Sequence, residues 1–197
     1  MARRPAAEVA KSRAKTLEAA ASLASKIGLE ALSIGGLADE LEMSKSGLAG
    51  RFGSKEQLQL ATLDHAVEVF RATVYEPAAA EPQGLHRLRA ICDAWIDYLG
   101  DCPFPGGCFL TTASVEFDSR EGVVKDRVKQ VMARWLGVLE REAASAVDGG
   151  ELPAERDPAD VAFTLNALAV GTNCDFQLHR DPRALERARR MMAAVLA

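Results

Sequence analysis

The chain has 197 residues, of which 48% are hydrophobic and 26% are charged, which is ordinary for a globular protein of one or two domains. No apolar run approaches the roughly 18 residues of a membrane helix, and the basic N-terminus lacks the apolar stretch of a signal peptide. The composition therefore predicts a cytoplasmic protein and excludes a membrane protein.

The net charge of −4 hides an asymmetry along the chain. Residues 1–55 contain nine Lys/Arg and six Asp/Glu, a net of +3, so the remaining 142 residues carry −7. This balance excludes a protein that coats nucleic acid with its whole surface. A basic N-terminal part on an acidic remainder predicts a polyanionic partner for the N-terminal part alone.

Four helices are predicted in the first part of the chain, because apolar residues recur there with helical spacing. They cover residues 7–27, a short stretch after Ser33, residues 44–52 and residues 54–74. Gly28 suits the end of the first helix, and Ser33 suits the N-cap of the second. Ser54 and Gln57 have the spacing of a capping box.

Five more helices are predicted after a break at Pro77 and Pro82. They cover residues 85–99, 108–117 and 121–147, followed by two helices opened by DPAD at 157–160 and DPRA at 181–184. Each of those two sequences places Pro directly after a capping Asp. Asp118 or Ser119 is the expected cap of the longest helix. No period-2 alternation predicts a strand, so we expect an all-α fold of about nine helices.

A short helix, a tight turn and a second short helix within residues 33–52 are typical of a helix-turn-helix. Leu48 and Phe52 lie four residues apart and share the face that is expected to pack inward. The opposite face holds small residues flanked by two cations, namely Ser46, Gly47, Ala49 and Gly50 between Lys45 and Arg51. That face is the one available to a DNA major groove.

The segment TLEAAASLASKIGLEALSIGGLADELEMSKSGLAGRFGSKEQLQLATLDHA, residues 16–66, resembles the N-terminal domain of the TetR (tetracycline-repressor) family of bacterial transcription regulators. The rest of the chain resembles that family in helix layout only, and FPGGCFL at 104–110 resembles a motif of some members. The resemblance implies a DNA-binding domain at residues 1–55 and a helical ligand-binding and dimerisation domain at residues 56–197. It further implies a homodimeric repressor that binds a palindromic operator in double-stranded DNA and is released by a small-molecule effector.

Ten residues are predicted to contact DNA: Arg3, Arg4, Ser33, Lys45, Ser46, Ala49, Gly50, Arg51, Ser54 and Lys55. Lys45 and Ser46 begin the third helix, where side chains reach base edges. The other cations and the two Ser-capped helix starts suit phosphate, with the two N-terminal arginines forming an arm. The family commonly has bulky residues at positions 49 and 50. Their absence here indicates close approach of the backbone and more reading of DNA shape.

Eight residues are predicted to line an effector cavity in the second part: Trp95, Tyr98, Cys108, Phe109, Thr112, Trp135, Phe163 and Asn166. Apolar walls with a few polar groups are typical of ligand pockets, although the same spacing is also typical of a plain helical core. The last two helices are predicted to form the dimer interface through Ala162, Leu165, Ala169, Phe176, Leu185, Ala188 and Met192.

Other functions remain open at this stage. Cys108 follows Gly-Gly at a helix start, where a thiol pKa is lowered, and Cys102 lies six residues away. This pattern fits a thiol-based sensor of electrophiles or oxidants, but it also fits a small buried core residue. No catalytic motif occurs, so a helical enzyme is less favoured. The cysteines and histidines show no ligand spacing, and we expect no metal and no cofactor.

Overall fold

The computed structural model describes the backbone of residues 6–197 and the side chains of residues 11–197. Every regular element in these ranges is helical, and the described part of the chain contains no strand. The predicted all-α fold is confirmed. None of the described helices is long and apolar enough to cross a membrane.

The helices are α1 (Ala6–Ile27), α2 (Ile34–Glu40), α3 (Lys45–Phe52), α4 (Lys55–Phe70), α5 (Glu76–Ala78), α6 (Leu85–Gly100), α7 (Phe109–Glu116), α8 (Val123–Asp148), α9 (Pro158–His179) and α10 (Arg183–Val195). A π-helical turn at Arg71–Tyr75 joins α4 to α5 without a break, so residues 6–197 form nine separate helical segments.

The fourth helix does not end near Val74 as predicted but continues through Pro77 to Ala78. Proline lacks an N–H group, and its ring would clash with the carbonyl four residues earlier in a regular α-helix. The wider π turn at Arg71–Tyr75 lies directly before this position and relieves the conflict.

Side-chain caps explain three of the helix starts. Ser33, Ser54 and Asp157 each accept a hydrogen bond from a backbone N–H of the first turn that follows. The cap predicted for α8 is wrong, because α8 begins at Val123 and both Asp118 and Ser119 lie four or more residues before it. The turn that starts α8 is made by Gly122, whose φ is +112° and therefore favours glycine.

Contacts divide the chain into two compact units. One unit contains the residues up to Val67 together with Phe104–Val128, and the other contains Glu68–Pro103 with Lys129–Ala197. The segment 104–128 therefore packs in the same unit as the helix-turn-helix. A functional boundary after residue 55 stays a prediction.

Candidate functional site

The helix-turn-helix is held by local hydrogen bonds and by a small apolar core. Ser44 caps α3 by accepting a hydrogen bond from the N–H of Gly47 at 3.2 Å. Leu48 and Phe52 are buried, as expected for the inward face of α3. Because these two side chains fix the rotation of α3, the opposite face of the helix is turned to solvent.

The outward face of α3 carries mostly small side chains. Lys45, Ser46, Gly50 and Arg51 are exposed, and Ala49 is half-buried. A Cβ built on Gly50 would meet no atom within 4 Å. A surface with so few side chains allows the helix backbone to come close to a partner, while the two cations at its flanks supply the charge for a polyanion.

Arg51 is held in place by residues of α1 that the sequence pattern did not single out. Its Nη1 donates to the hydroxyl of Ser12 at 3.2 Å, and Arg13 donates to the Arg51 carbonyl at 3.4 Å. The Arg13 guanidinium also lies 4.9 Å above the ring of Phe52. The sequence signal for these α1 contacts was the basic run KSRAK at 11–15. Its Lys11 and Lys15 are neighbours on one helix face. Both also line an open cavity of about 360 Å³ beside α2.

Two predicted DNA-contacting lysines have acidic neighbours. The Lys55 ammonium donates to the Glu30 carboxylate at 2.8 Å, and this hydrogen bond holds the pKa of Glu30 below its usual value. The Lys45 ammonium lies 3.8 Å from a carboxylate oxygen of Asp39. A DNA phosphate at either lysine would therefore compete with a carboxylate. Of the other predicted contacts, Ser33 and Ser54 are caps, whereas Arg3 and Arg4 lie outside the described residues.

The segment FPGGCFL docks on the end of α1, within the same unit. The N–H of Gly106 donates to the hydroxyl of Ser25 at 3.1 Å. At the other end of α7, the Glu116 carboxylate accepts hydrogen bonds from the N–H groups of Leu29 at 2.7 Å and Glu30 at 3.1 Å. These contacts join α7 to the chain that leads from α1 into the helix-turn-helix.

Three of the predicted effector-lining residues lie in this docked segment or in α7, which continues it. Cys108 is the buried N-cap residue of α7, and Phe109 packs its ring 5.7 Å from that of Phe104. The Thr112 hydroxyl donates to the Cys108 carbonyl at 3.2 Å. The other five residues belong to the second unit, so the predicted set does not form one cluster within either unit.

The second unit contains an aromatic cluster of Phe70, Trp95, Tyr98 and Trp135. The Phe70 ring lies edge-to-face against each of the other three, at centroid distances of 5.9, 5.3 and 4.8 Å in chain order. The two tryptophan rings are 4.9 Å apart. Sequence reasoning named three of the four rings and missed Phe70, because helical spacing within α6 or α8 carries no information about a ring from α4.

The remaining two predicted lining residues, both on α9, differ in exposure. Asn166 is half-buried, and its side-chain oxygen is buried without a hydrogen-bond partner. Phe163 is 69% exposed and faces away from the interior of its unit. A ligand-lining role for Phe163 therefore has no support from its position within one chain.

Most residues of the predicted dimer face are buried within the chain itself. Five of its seven residues are buried within the chain, and the other two are partly so: Ala162, Leu165, Ala169, Ala188 and Met192, then Phe176 and Leu185. A side chain without exposed surface cannot touch a partner. α9 is apolar on two faces, and periodicity alone does not tell which face is inward. The dimer contacts of Phe176 and Leu185, which keep exposed surface, stay a prediction.

The other apolar face of α9 is exposed. It carries a stripe with spacings of three and four residues, formed by Phe163, Ala167, Gly171, Cys174 and Leu178. Its two large side chains, Phe163 and Leu178, are 69% and 77% exposed. We call these five residues the outer stripe of α9. Met191 of α10 is a further exposed apolar side chain in the same unit.

Comparisons with known proteins agree with a helix-turn-helix protein that has a larger helical second part. Residues 17–62 match the family described as bacterial regulatory proteins of the tetR family, and residues 84–192 match the tetracyclin repressor-like C-terminal domain. The chain therefore belongs to the TetR family, and it is a transcriptional regulator with a DNA-binding and a ligand-binding domain. The comparison with curated proteins found no significant match.

Solved structures of similar fold are regulators as well. A TetR regulator from Chloroflexus aurantiacus is 24% identical, with 93% of each chain covered and a TM-score of 0.85. One from Streptomyces coelicolor is 22% identical, with 100% of this chain and 96% of that chain covered and a TM-score of 0.79. AibR, bound to isovaleryl coenzyme A and operator DNA, is 22% identical, with 90% and 94% covered and a TM-score of 0.70. These likenesses show that the chain shares their fold.

Proposed function

We propose that the protein is a repressor that binds a palindromic operator as a homodimer and leaves it when a small-molecule effector binds. The observation that carries this proposal is the outward face of α3, which is bare and is flanked by the exposed cations Lys45 and Arg51. Such a face fits a major groove, and a dimer would place two copies in successive grooves.

We assign two kinds of DNA contact to the residues of this face. Lys45 and Ser46 at the start of α3 contact base edges, and Ala49 meets a thymine methyl group. Arg51, held by Ser12 and Arg13, contacts phosphate together with Lys55. Gly50 lets the backbone approach, so part of the specificity comes from DNA shape.

The partner in the homodimer is a second copy docked through the outer stripe of α9. This stripe exposes Phe163 and Leu178, and a large exposed apolar patch marks an interaction surface. Its small members, Ala167 and Gly171, permit close approach of a second helix.

A thiol mechanism is not favoured. Cys108 is only 1% exposed, and the thiol at the start of α7 therefore offers little surface to an electrophile or an oxidant. AibR has been crystallised with isovaleryl coenzyme A and operator DNA, and this precedent supports release by a bound small molecule instead.

The DNA-binding proposal is tested by selecting duplexes from a random pool and measuring the affinity of the best one against salt. We expect a palindromic consensus. Lys45→Met and Arg51→Met should weaken binding and each reduce the slope of log K against log salt by about 1. Lys129→Met removes the same charge from an exposed position in the second unit and should change neither quantity. Enrichment of no duplex would refute the proposal.

The dimer is tested by sedimentation of Phe163→Glu and Leu178→Glu, which should shift the protein toward monomer. Val115→Glu places the same charge at a 59% exposed apolar position of the first unit and serves as the matched control. If all three variants sediment like the native protein, the outer stripe of α9 is not the interface.

A further inference from the structure

A cleft with a volume of about 360 Å³ lies between α1 and the turn of the helix-turn-helix, within the first unit. Two exposed lysines of α1, Lys11 and Lys15, line it. The other lining residues are Ser12 and Thr16 of α1, then Leu41 and Met43 of the turn. We call this feature the α1 cleft. Neither lysine is among the ten residues predicted to contact DNA, so the cleft has no assigned partner.

The α1 cleft adjoins both ends of α3. Met43, which lines the cleft, directly precedes Ser44, the N-cap residue of α3. In the last turn of α3, Arg51 donates a hydrogen bond through Nη1 to the hydroxyl of Ser12, another lining residue, at 3.2 Å. The major groove of DNA is about 12 Å wide, and an α-helix with its side chains is about 10–12 Å across. A duplex that accepts α3 in its groove therefore has a sugar-phosphate strand along each side of α3, within reach of the cleft.

The two lysines of the α1 cleft have no counter-charge among the described residues. Neither Lys11 nor Lys15 forms an ion pair with a described carboxylate, including the exposed Glu40 and Glu42 that flank Leu41. Like charges four residues apart on a helix repel each other, and an anion bound between them removes that repulsion. The predicted DNA-contacting lysines of α3 and α4, by contrast, are each paired with an acidic residue. A phosphate that arrives at the α1 cleft therefore has no carboxylate to displace.

The floor of the α1 cleft offers little to orient a small molecule. Thr16 is 4% exposed, and its hydroxyl donates to the carbonyl of Ser12 at 2.9 Å. The Ser12 hydroxyl is engaged by Arg51, and Leu41 and Met43 are apolar. Sites for small molecules fix their ligand with a few placed polar groups, which this floor lacks. A phosphate backbone needs only charge, because contacts to it position the protein without reading sequence.

We propose that the α1 cleft seats the sugar-phosphate strand that borders the major groove occupied by α3, with Lys11 and Lys15 contacting its phosphates. The inference rests on the proposed placement of α3 in the groove. The cleft then adds affinity for any duplex, and the choice of sequence stays with α3. Ser12 links the two surfaces, since it lines the cleft and holds Arg51.

The test measures the affinity of full-length Lys11→Met and Lys15→Met against salt. The probes are the selected operator duplex and a scrambled duplex of the same length. Each variant should reduce the slope of log K against log salt by about 0.9 on both duplexes, which corresponds to about eightfold weaker binding at about 0.1 M salt. The ratio of operator to scrambled affinity should stay that of the native protein. Unchanged slopes for both variants would overturn the inference, and so would a loss confined to the operator.

Two matched variants separate the cleft from the general charge of the unit. Lys26→Met removes the same charge from an exposed position in the last turn of α1, about 16 Å along the helix from Lys15, and should leave the slope unchanged. Lys15→Arg keeps the charge and should keep the slope. An equal loss of slope in Lys26→Met would show a diffuse effect of charge and would overturn the cleft as the seat.

Neutral linkages in the DNA locate the contact. Methylphosphonates are introduced one at a time into the operator duplex, and those that weaken binding of the native protein mark the contacted phosphates. At one or two of these linkages the loss should disappear in Lys15→Met, because the lysine and the phosphate lose the same interaction. Losses that add fully at every linkage would overturn the inference. Lys15→Gln replaces Lys15→Met if the methionine variant lacks the native helical circular dichroism.

Failure of the cleft and failure of the proposed function give different results. Weaker binding by Lys45→Met and Arg51→Met, together with native slopes for Lys11→Met and Lys15→Met, would refute the cleft alone. Selection of no palindromic duplex would refute the proposed operator, and the scrambled duplex would still decide the cleft. Absence of binding to any duplex would refute both.

Discussion

Gly106→Ala tests the docking of the FPGGCFL segment on α1. A Cβ built on Gly106 would lie 1.7 Å from the carbonyl oxygen of Ser25, which is about 1.5 Å or more short of van der Waals contact. The obstacle is backbone at the end of α1, so no side chain can rotate away. The φ angle of Gly106 is not positive, and alanine is therefore not strained by its own backbone conformation.

The overlap should destabilise the first unit. Overpacking of this kind costs about 1–3 kcal/mol. If FPGGCFL moves away from α1 to relieve the overlap, the hydrogen bond from Gly106 to Ser25 is also lost. That loss lowers the free energy of unfolding by about 1 kcal/mol. Part of this destabilisation is offset, because alanine loses less backbone entropy than glycine on folding, a difference of about 0.4–1 kcal/mol.

Urea unfolding followed by helical circular dichroism measures the effect, and the midpoint should fall by about 0.5–1.5 M. Gly50→Ala is the matched control, because its Cβ would meet nothing within 4 Å and the residue is inside α3. Gly50→Ala should raise the midpoint, since alanine is favoured over glycine in a helix by about 1 kcal/mol. If Gly106→Ala unfolds at the native midpoint, the close approach of this segment to α1 does not constrain the fold.

Other predictions concern charge and motion in the first unit. Glu116→Gln replaces one of two acceptor oxygens by a donor that faces backbone N–H groups. In the same assay it should lower the free energy of unfolding by about 1–3 kcal/mol. Glu121→Gln, at an exposed position, is the control and should leave that free energy unchanged. Burial lowers the pKa of His65 below 6.5, so the unfolded chain binds a proton that the folded chain does not. Stability should be fully present above about pH 6.5 and decrease as pH falls toward the folded pKa, and a flat profile between pH 7.5 and 5.5 would contradict this. Because α3 contains interior glycines, amide exchange in residues 45–52 should slow on binding the operator, and equally slow exchange without DNA would refute a loose helix.

The local features of this chain were determined by its sequence. Helix starts at Ser33, Ser54 and Asp157 depend on a cap and an N–H only two or three residues apart, so they could be predicted from spacing. The inward face of α3 followed from Leu48 and Phe52 for the same reason. Family membership followed from the helix-turn-helix segment, whose pattern lies within one short stretch.

The tertiary structure alone decided which groups meet across long separations. The hydrogen bonds of Gly106 to Ser25 and of Leu29 to Glu116 join residues 81 and 87 positions apart, and no periodicity encodes them. It also decided that Phe70 completes the aromatic cluster. α9 has two apolar faces, and its sequence is compatible with either of them facing inward. Only packing against the rest of its unit buried one face and left the other, the outer stripe, exposed.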